Sequence, residues 1–161
     1  SALNYFLKFQ VKVNSDTIGT FVMFSSLLAF LGTSVLLVRL IKKYDEKLIH
    51  RIMIFIGIIL MSIILFRLNL GTVSYVLMAI YAMTYEIVRS LGNSIIAHRY
   101  KNEQGKILGV ASAVGFLGNA MGSLLSGHLL NANSRLPFIV NISIMSVVLV
   151  FLLVQMAAEK K

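Results

Sequence analysis

Five long runs of apolar residues, separated by short polar and basic stretches, set the pattern of the chain. They cover Thr17 to Val38, Ile52 to Phe66 with an extension to Leu70, Gly71 to Ala97, Ile107 to Leu130, and Leu136 to Met156. A hydrocarbon layer of about 30 Å takes about 20 helical residues at a rise of about 1.5 Å each. The second run reaches that length only if Arg67 snorkels to the interface on its apolar stem. A membrane barrel would show alternating segments of about ten residues instead. These runs are continuous, so the pattern predicts an all-α integral membrane bundle of five transmembrane helices.

The first sixteen residues break the pattern. Leu7 to Asn14 alternates apolar and polar side chains, which by period alone reads as a half-buried strand. A single strand has no partner in a helical bundle. Ser1 to Leu7 also lacks the basic start and cleavage site of a signal peptide. Two readings compete, an interfacial segment and the outer end of an earlier spanning helix, and the second is preferred. The chain then divides into residues 1–16, a helix remnant with an outer loop; 17–156, the bundle; and 157–161, a tail.

Composition sharpens the membrane reading. The 161 residues are 58% hydrophobic and 13% charged, against about 45–50% and about 25% in an ordinary soluble domain. That excludes both a water-soluble globule and a disordered chain. Cysteine is absent, which removes disulfides, thiolate metal sites and cysteine nucleophiles. The formal net charge of +9 would suggest nucleic acid in a soluble protein. Sorting the basic residues by loop gives a different meaning. Arg39, Lys42, Lys43, Lys47, Arg51, Arg99, Lys101, Lys106, Lys160 and Lys161 fall on one side; Lys8, Lys12, Arg67 and Arg135 fall on the other. Cytoplasmic loops carry the Lys and Arg excess, so the first set is expected inside, the C-terminus cytoplasmic and the N-terminal end outside. The partner implied is a lipid bilayer, with no nucleic acid.

One basic residue, Arg89, lies inside a run, three positions after Glu86. Glu86 sits about 16 Å from Ala97 and about 22 Å from Gly71 along a helix, which is near mid-membrane. An ionisable group at that depth costs about 2.5–3.5 kcal/mol on insertion scales and by default marks a cavity, a partner or a proton path. The spacing of three places both charges on one helix face. Desolvation favours the neutral acid and the neighbouring guanidinium favours the carboxylate, a balance suited to proton uptake and release. The bland alternative is a structural pair in which Arg89 merely snorkels. Along the same face lie Tyr75, Ala79 and Ala82 on one side of Glu86 and Ser90 and Asn93 on the other, a stripe of small and polar groups able to line water.

The fourth run is rich in glycine. Gly115, Gly118, Gly122 and Gly127 give GxxxG and related small-residue spacings that let helix backbones approach closely, so a helix-packing role is expected of them. Asn119 is a candidate cavity residue in the same run. No GxSxG elbow, HExxH helix or phosphate-binding GxxxxGK loop occurs, so serine hydrolase, zincin and NTPase readings have no starting residues. His50, His98 and His128 are scattered without companion donors. No catalytic residue, metal site or cofactor is expected.

These motifs together resemble the C-terminal half of a major facilitator superfamily transporter, most closely the bacterial multidrug efflux pumps of the drug:proton antiporter kind. Arg39-Leu40-Ile41-Lys42-Lys43 is similar to the family's basic loop motif, with Ile41 in place of its glycine and Val38 in place of its aspartate. Glu103-Gln104-Gly105 followed by Gly109 looks like the loop into helix 11. Leu117-Gly118 through Gly122-Ser123 to Ser126-Gly127 is similar to a family glycine motif, with Ser123 at its proline. Glu86-Ile87-Val88-Arg89 matches an acidic-x-x-Arg element of helix 10.

The resemblance implies that the five spans correspond to helices 8–12 of a twelve-helix fold, with a remnant of helix 7 before them. It also implies that Glu86 serves proton coupling and recognition of a small amphiphilic or cationic substrate. Partners would be protons, that substrate and the N-terminal half of the transporter, in the plasma membrane. Five spans lack one wall of a central cavity, so the chain is not expected to transport alone. The competing reading is a non-transporting membrane protein, or a half-transporter subunit, that associates with partner helices through the glycine-rich run.

Overall fold

The computed structural model describes residues 15–66, 72–133 and 135–159, all but a few turn residues of which are helical. The preceding helix expected before residue 15, the extension through Arg67 to Leu70 and the last two lysines of the tail lie outside the described residues. Helix α1 (Ser15–Leu31) runs on through a π-helical stretch (Gly32–Leu37) into a last turn, α2 (Val38–Ile41). Then follow α3 (Glu46–Phe66), α4 (Thr72–Arg99), α5 (Gln104–Ala132) and α6 (Leu136–Glu159). The five rods match the five apolar runs, and no strand occurs among the described residues.

The rods outrun the apolar runs, and α3 does so most. It begins at Glu46, six residues before Ile52, because Asp45 caps it: the Asp45 carboxylate accepts the Leu48 backbone N–H at 3.3 Å. A side-chain oxygen at this position satisfies one of the free N–H groups of a helix start. Lys47, His50 and Arg51 are thereby helical residues rather than loop residues.

Four rods are long and apolar enough to cross a membrane by length and composition: Gly19–Ile41, Glu46–Phe66, Gln104–Ala132 and Leu136–Ala158. The exception, α4, spans 28 residues but is interrupted by Ser, Thr, Tyr, Asn, Glu and Arg. Its position accounts for that composition. It packs against α1, α3 and α5, so it relies on protein neighbours more than on lipid.

Both apolar clusters are built on α4. At one end Met78 and Ala79 meet Phe21, Met61, Ile64, Leu130 and Phe138. Toward the basic end Ile87 and Leu91, fully buried, meet Leu37 and Ile49. The buried hydroxyls in this interior are self-satisfied, Thr84 donating to the Ile80 carbonyl at 2.9 Å and Ser25 to the Val22 carbonyl at 3.0 Å. Such back-bonding removes the penalty of an unpaired polar group in hydrocarbon.

Among the described glycines, the tightest contact with α4 is at Gly32, where the π-helical stretch begins. A Cβ there would overlap the Met83 side chain, and the Ile87 Cδ1 would lie 3.5 Å from it. The hydroxyls of Thr33 and Ser34 donate to the Ala29 and Phe30 carbonyls at 2.9 and 2.6 Å, next to the widened turn. Side chains inserted near the backbone ladder commonly accompany such local departures from α geometry.

By contrast α5 stands at the side of the bundle, touching α4 and α6, with Leu130 its one buried residue. The glycines expected to pack helices are open here. A Cβ at Gly115, Gly118, Gly122 or Gly127 would have nothing within 4 Å. The close approach inferred from their spacing is made instead by Gly32, in a helix whose sequence carries no GxxxG.

Candidate functional site

An open cleft of about 500 Å³ lies among α1, α3, α4, α5 and α6, and Glu86 is on its wall. Its apolar lining includes Met61, Met78, Leu130, Pro137 and Phe138. Polar lining comes from every helix but α3: Ser25 and Ser26 from α1, Tyr81, Tyr85 and Glu86 from α4, Asn119 and Ser126 from α5, and Asn141 from α6. Apolar walls with a few convergent polar groups are the usual composition of a small-molecule site.

Glu86 is the single ionisable carboxylate among the lining residues. Its Oε1 lies 3.7 Å from Arg89 Nη1, and the two side chains are 42% and 55% exposed in this half-bundle. A charge-assisted hydrogen bond between such groups closes to about 2.7–2.9 Å, and a strong guanidinium pair uses both oxygens. The Glu86–Arg89 contact does neither. The carboxylate therefore keeps acceptor capacity for a second cation or a proton.

Tyr81 is held by the neighbouring helix. Its hydroxyl donates to Asn141 Oδ1 at 3.3 Å, with the Met145 sulfur at 3.8 Å as the other acceptor in reach. Tyr85, one turn on, is 44% exposed beside the cleft. Two tyrosine faces and Phe138 near one carboxylate offer the cation–π surfaces that favour organic cations.

Of the residues singled out from sequence, Glu86, Ala82 and Asn119 line this cleft. Arg89 does not line it and reaches it through Glu86. Tyr75 lies outside, packed in the core with its ring 5.9 Å from that of Phe21. Ala79 is buried in the same cluster. Ser90 and Asn93 are exposed one and two turns beyond Glu86, past the end of the cleft. Sharing a helix face with Glu86 is thus not enough, because the cleft occupies only part of the face's length.

Ser25, Ser26, Tyr81, Tyr85, Ser126 and Asn141 were not anticipated. The available signal was a lone polar residue or pair inside an apolar run, as with Ser25-Ser26 in α1 and Asn141 in α6. The histidines do not gather: His50 hydrogen-bonds the Val88 carbonyl, His98 Nδ1 faces Glu46 at 3.4 Å and His128 is exposed on α5.

A family model described as Major Facilitator Superfamily matches residues 1–161. No curated protein and no solved structure matches the chain.

Proposed function

The chain belongs to the Major Facilitator Superfamily, whose members are transporters rather than enzymes, and we propose that it forms the C-terminal half of a proton-coupled exporter of amphiphilic or cationic compounds. The observation that carries this reading is the carboxylate of Glu86, half-exposed on the cleft wall and only loosely held by Arg89. In its ionised form it attracts an organic cation, whose apolar body rests on Phe138, Met78 and the tyrosine rings. In its protonated form that attraction is gone. Alternation between the two, as access switches between the membrane faces, couples proton entry to substrate exit.

Substrate sites of such transporters lie near the bilayer midplane between two halves that rock against each other. The open side of the cleft suits a second half, and so does the face of α5 that bears Gly115, Gly118 and Gly122 with nothing against it. The N-terminal half of the transporter is the partner proposed for that face. The excess of basic residues at one end of the bundle supports a cytoplasmic C-terminus, and the plasma membrane is the location proposed.

The test is efflux of a fluorescent lipophilic cation from liposomes holding the complete transporter, driven by an imposed proton gradient. Glu86→Gln keeps the shape of the side chain and removes its titration. It is expected to lower the gradient-driven rate about 100-fold, the scale of a lost proton-transfer group, and to weaken the quenching of tyrosine fluorescence by the cation, since the attraction of the carboxylate is gone. Unchanged gradient-driven efflux in Glu86→Gln would sink the proposal.

A further inference from the structure

A second cleft, of about 220 Å³, opens at the basic end of the bundle between α3, α4 and α6. Lys47 and Arg51 reach it from the start of α3 and Arg99 from the last turn of α4, with the Gln155 amide opposite on α6. Ile95, Ile96 and Leu152 give it an apolar wall, and none of its lining residues is acidic.

The nearest acids, Asp45 and Glu46, line an adjoining cleft that also touches Lys47 and Arg99, but neither lines this one. Asp45 caps α3 through the Leu48 N–H. Glu46 accepts the Ser94 hydroxyl at 3.2 Å and faces His98. Among the described residues neither Arg51 nor Arg99 is paired with a carboxylate. Arg51 donates through Nε to the Lys47 carbonyl at 3.0 Å and turns Nη1 toward the Met156 sulfur. A thioether is a weak acceptor, so the outer edge of the guanidinium is left to bind an anion.

The apolar surroundings narrow the kind of anion. One turn along α3 from Arg51, Phe55 is 54% exposed, and one turn along α6 from Leu152, Val148 is 44% exposed. Cations above and apolar tracks below are the two halves of a phospholipid. Guanidinium groups take phosphate oxygens in paired hydrogen bonds, and basic pockets between transmembrane helices hold anionic headgroups. We propose that this cleft binds the phosphate of an anionic phospholipid through Arg51 and Arg99, with Lys47 adding to the positive field and the acyl chains lying along α3 and α6. The lipid would contact three helices at this end, α3, α4 and α6. The proposal concerns the membrane-embedded bundle and is independent of proton coupling.

Native mass spectrometry of the delipidated full chain, titrated with phosphatidylglycerol, phosphatidylcholine or inorganic phosphate, tests it. Phosphatidylglycerol is expected to bind about tenfold better than phosphatidylcholine, with inorganic phosphate at matched concentration failing to displace it. Arg51→Gln and Arg99→Gln are each expected to weaken phosphatidylglycerol binding about fivefold, the worth of one basic group at a lipid surface. Arg99 is an exposed helix-end residue, so its variant keeps the test valid even if Arg51→Gln is poorly folded. Lys101→Gln removes the same charge outside the cleft and is expected to leave binding unchanged. Equal binding of the two lipids, displacement by inorganic phosphate, wild-type binding by Arg99→Gln, or an equal loss in Lys101→Gln would each overturn the proposal.

Discussion

A tyrosine hydroxyl and an amide oxygen 3.3 Å apart join α4 to α6 across the cleft. Interhelical hydrogen bonds in membranes are worth about 0.6 kcal/mol on average, because the separated helices find other partners. Tyr81→Phe is therefore expected to destabilise the bundle by only about 0.6 kcal/mol, read as a small fall in the thermal midpoint in detergent. A loss several times larger would mean that this contact organises the cleft and does not merely border it. Glu86 and Asn119 were legible in the sequence because a charge or an amide stands out in an apolar run. Tyr81 and Asn141 were not, since their role depends on which helices become neighbours, and periodicity carries no such information. The same reason accounts for Tyr75, which shares the face of Glu86 but meets Phe21 at the far end of the core.

Helices show a similar division between what pattern reveals and what packing decides. The five rods follow from the apolar runs, and the early start of α3 follows from Asp45, a cap visible in the sequence once its role is recognised. Which glycines permit close packing does not follow. Spacing favours Gly118 and Gly122, yet within the chain the steric demand falls on Gly32, against Met83. Gly32→Val is expected to cost about 1–3 kcal/mol, the usual range for overpacking, while Gly118→Ala, in a helix interior with open space around it, is expected to cost nothing and to stabilise the isolated chain by up to about 1 kcal/mol through helix propensity. Thermal unfolding of both variants in detergent checks the contrast. A Gly118→Ala loss that appears only when the remainder of the transporter is present would place a partner helix on that face of α5.

For the molecule as a whole, the ends of the rods tell more than their middles. The beginning of α3 and the end of α4 meet at one end, where Lys47 and Arg99 line the same cleft, so the basic loops of the sequence converge in space. Arg135 lies in the turn between α5 and α6, at the opposite end of α5 from Lys101 and Lys106, with its backbone N–H bonded to Asn133 Oδ1 at 2.9 Å. Since positive charge is favoured on the cytoplasmic side, the basic end is expected to face inward. The chain has no cysteine, so single cysteines introduced at Lys43, Lys101 and Arg135 report on topology without background. All three are exposed turn residues between helices. With a membrane-impermeant maleimide, Arg135→Cys is expected to react in intact cells, and Lys43→Cys and Lys101→Cys only after permeabilisation. The opposite pattern would invert the bundle. The proton path proposed through Glu86 would then have to be redrawn in the reverse direction, although the cleft itself would be unchanged.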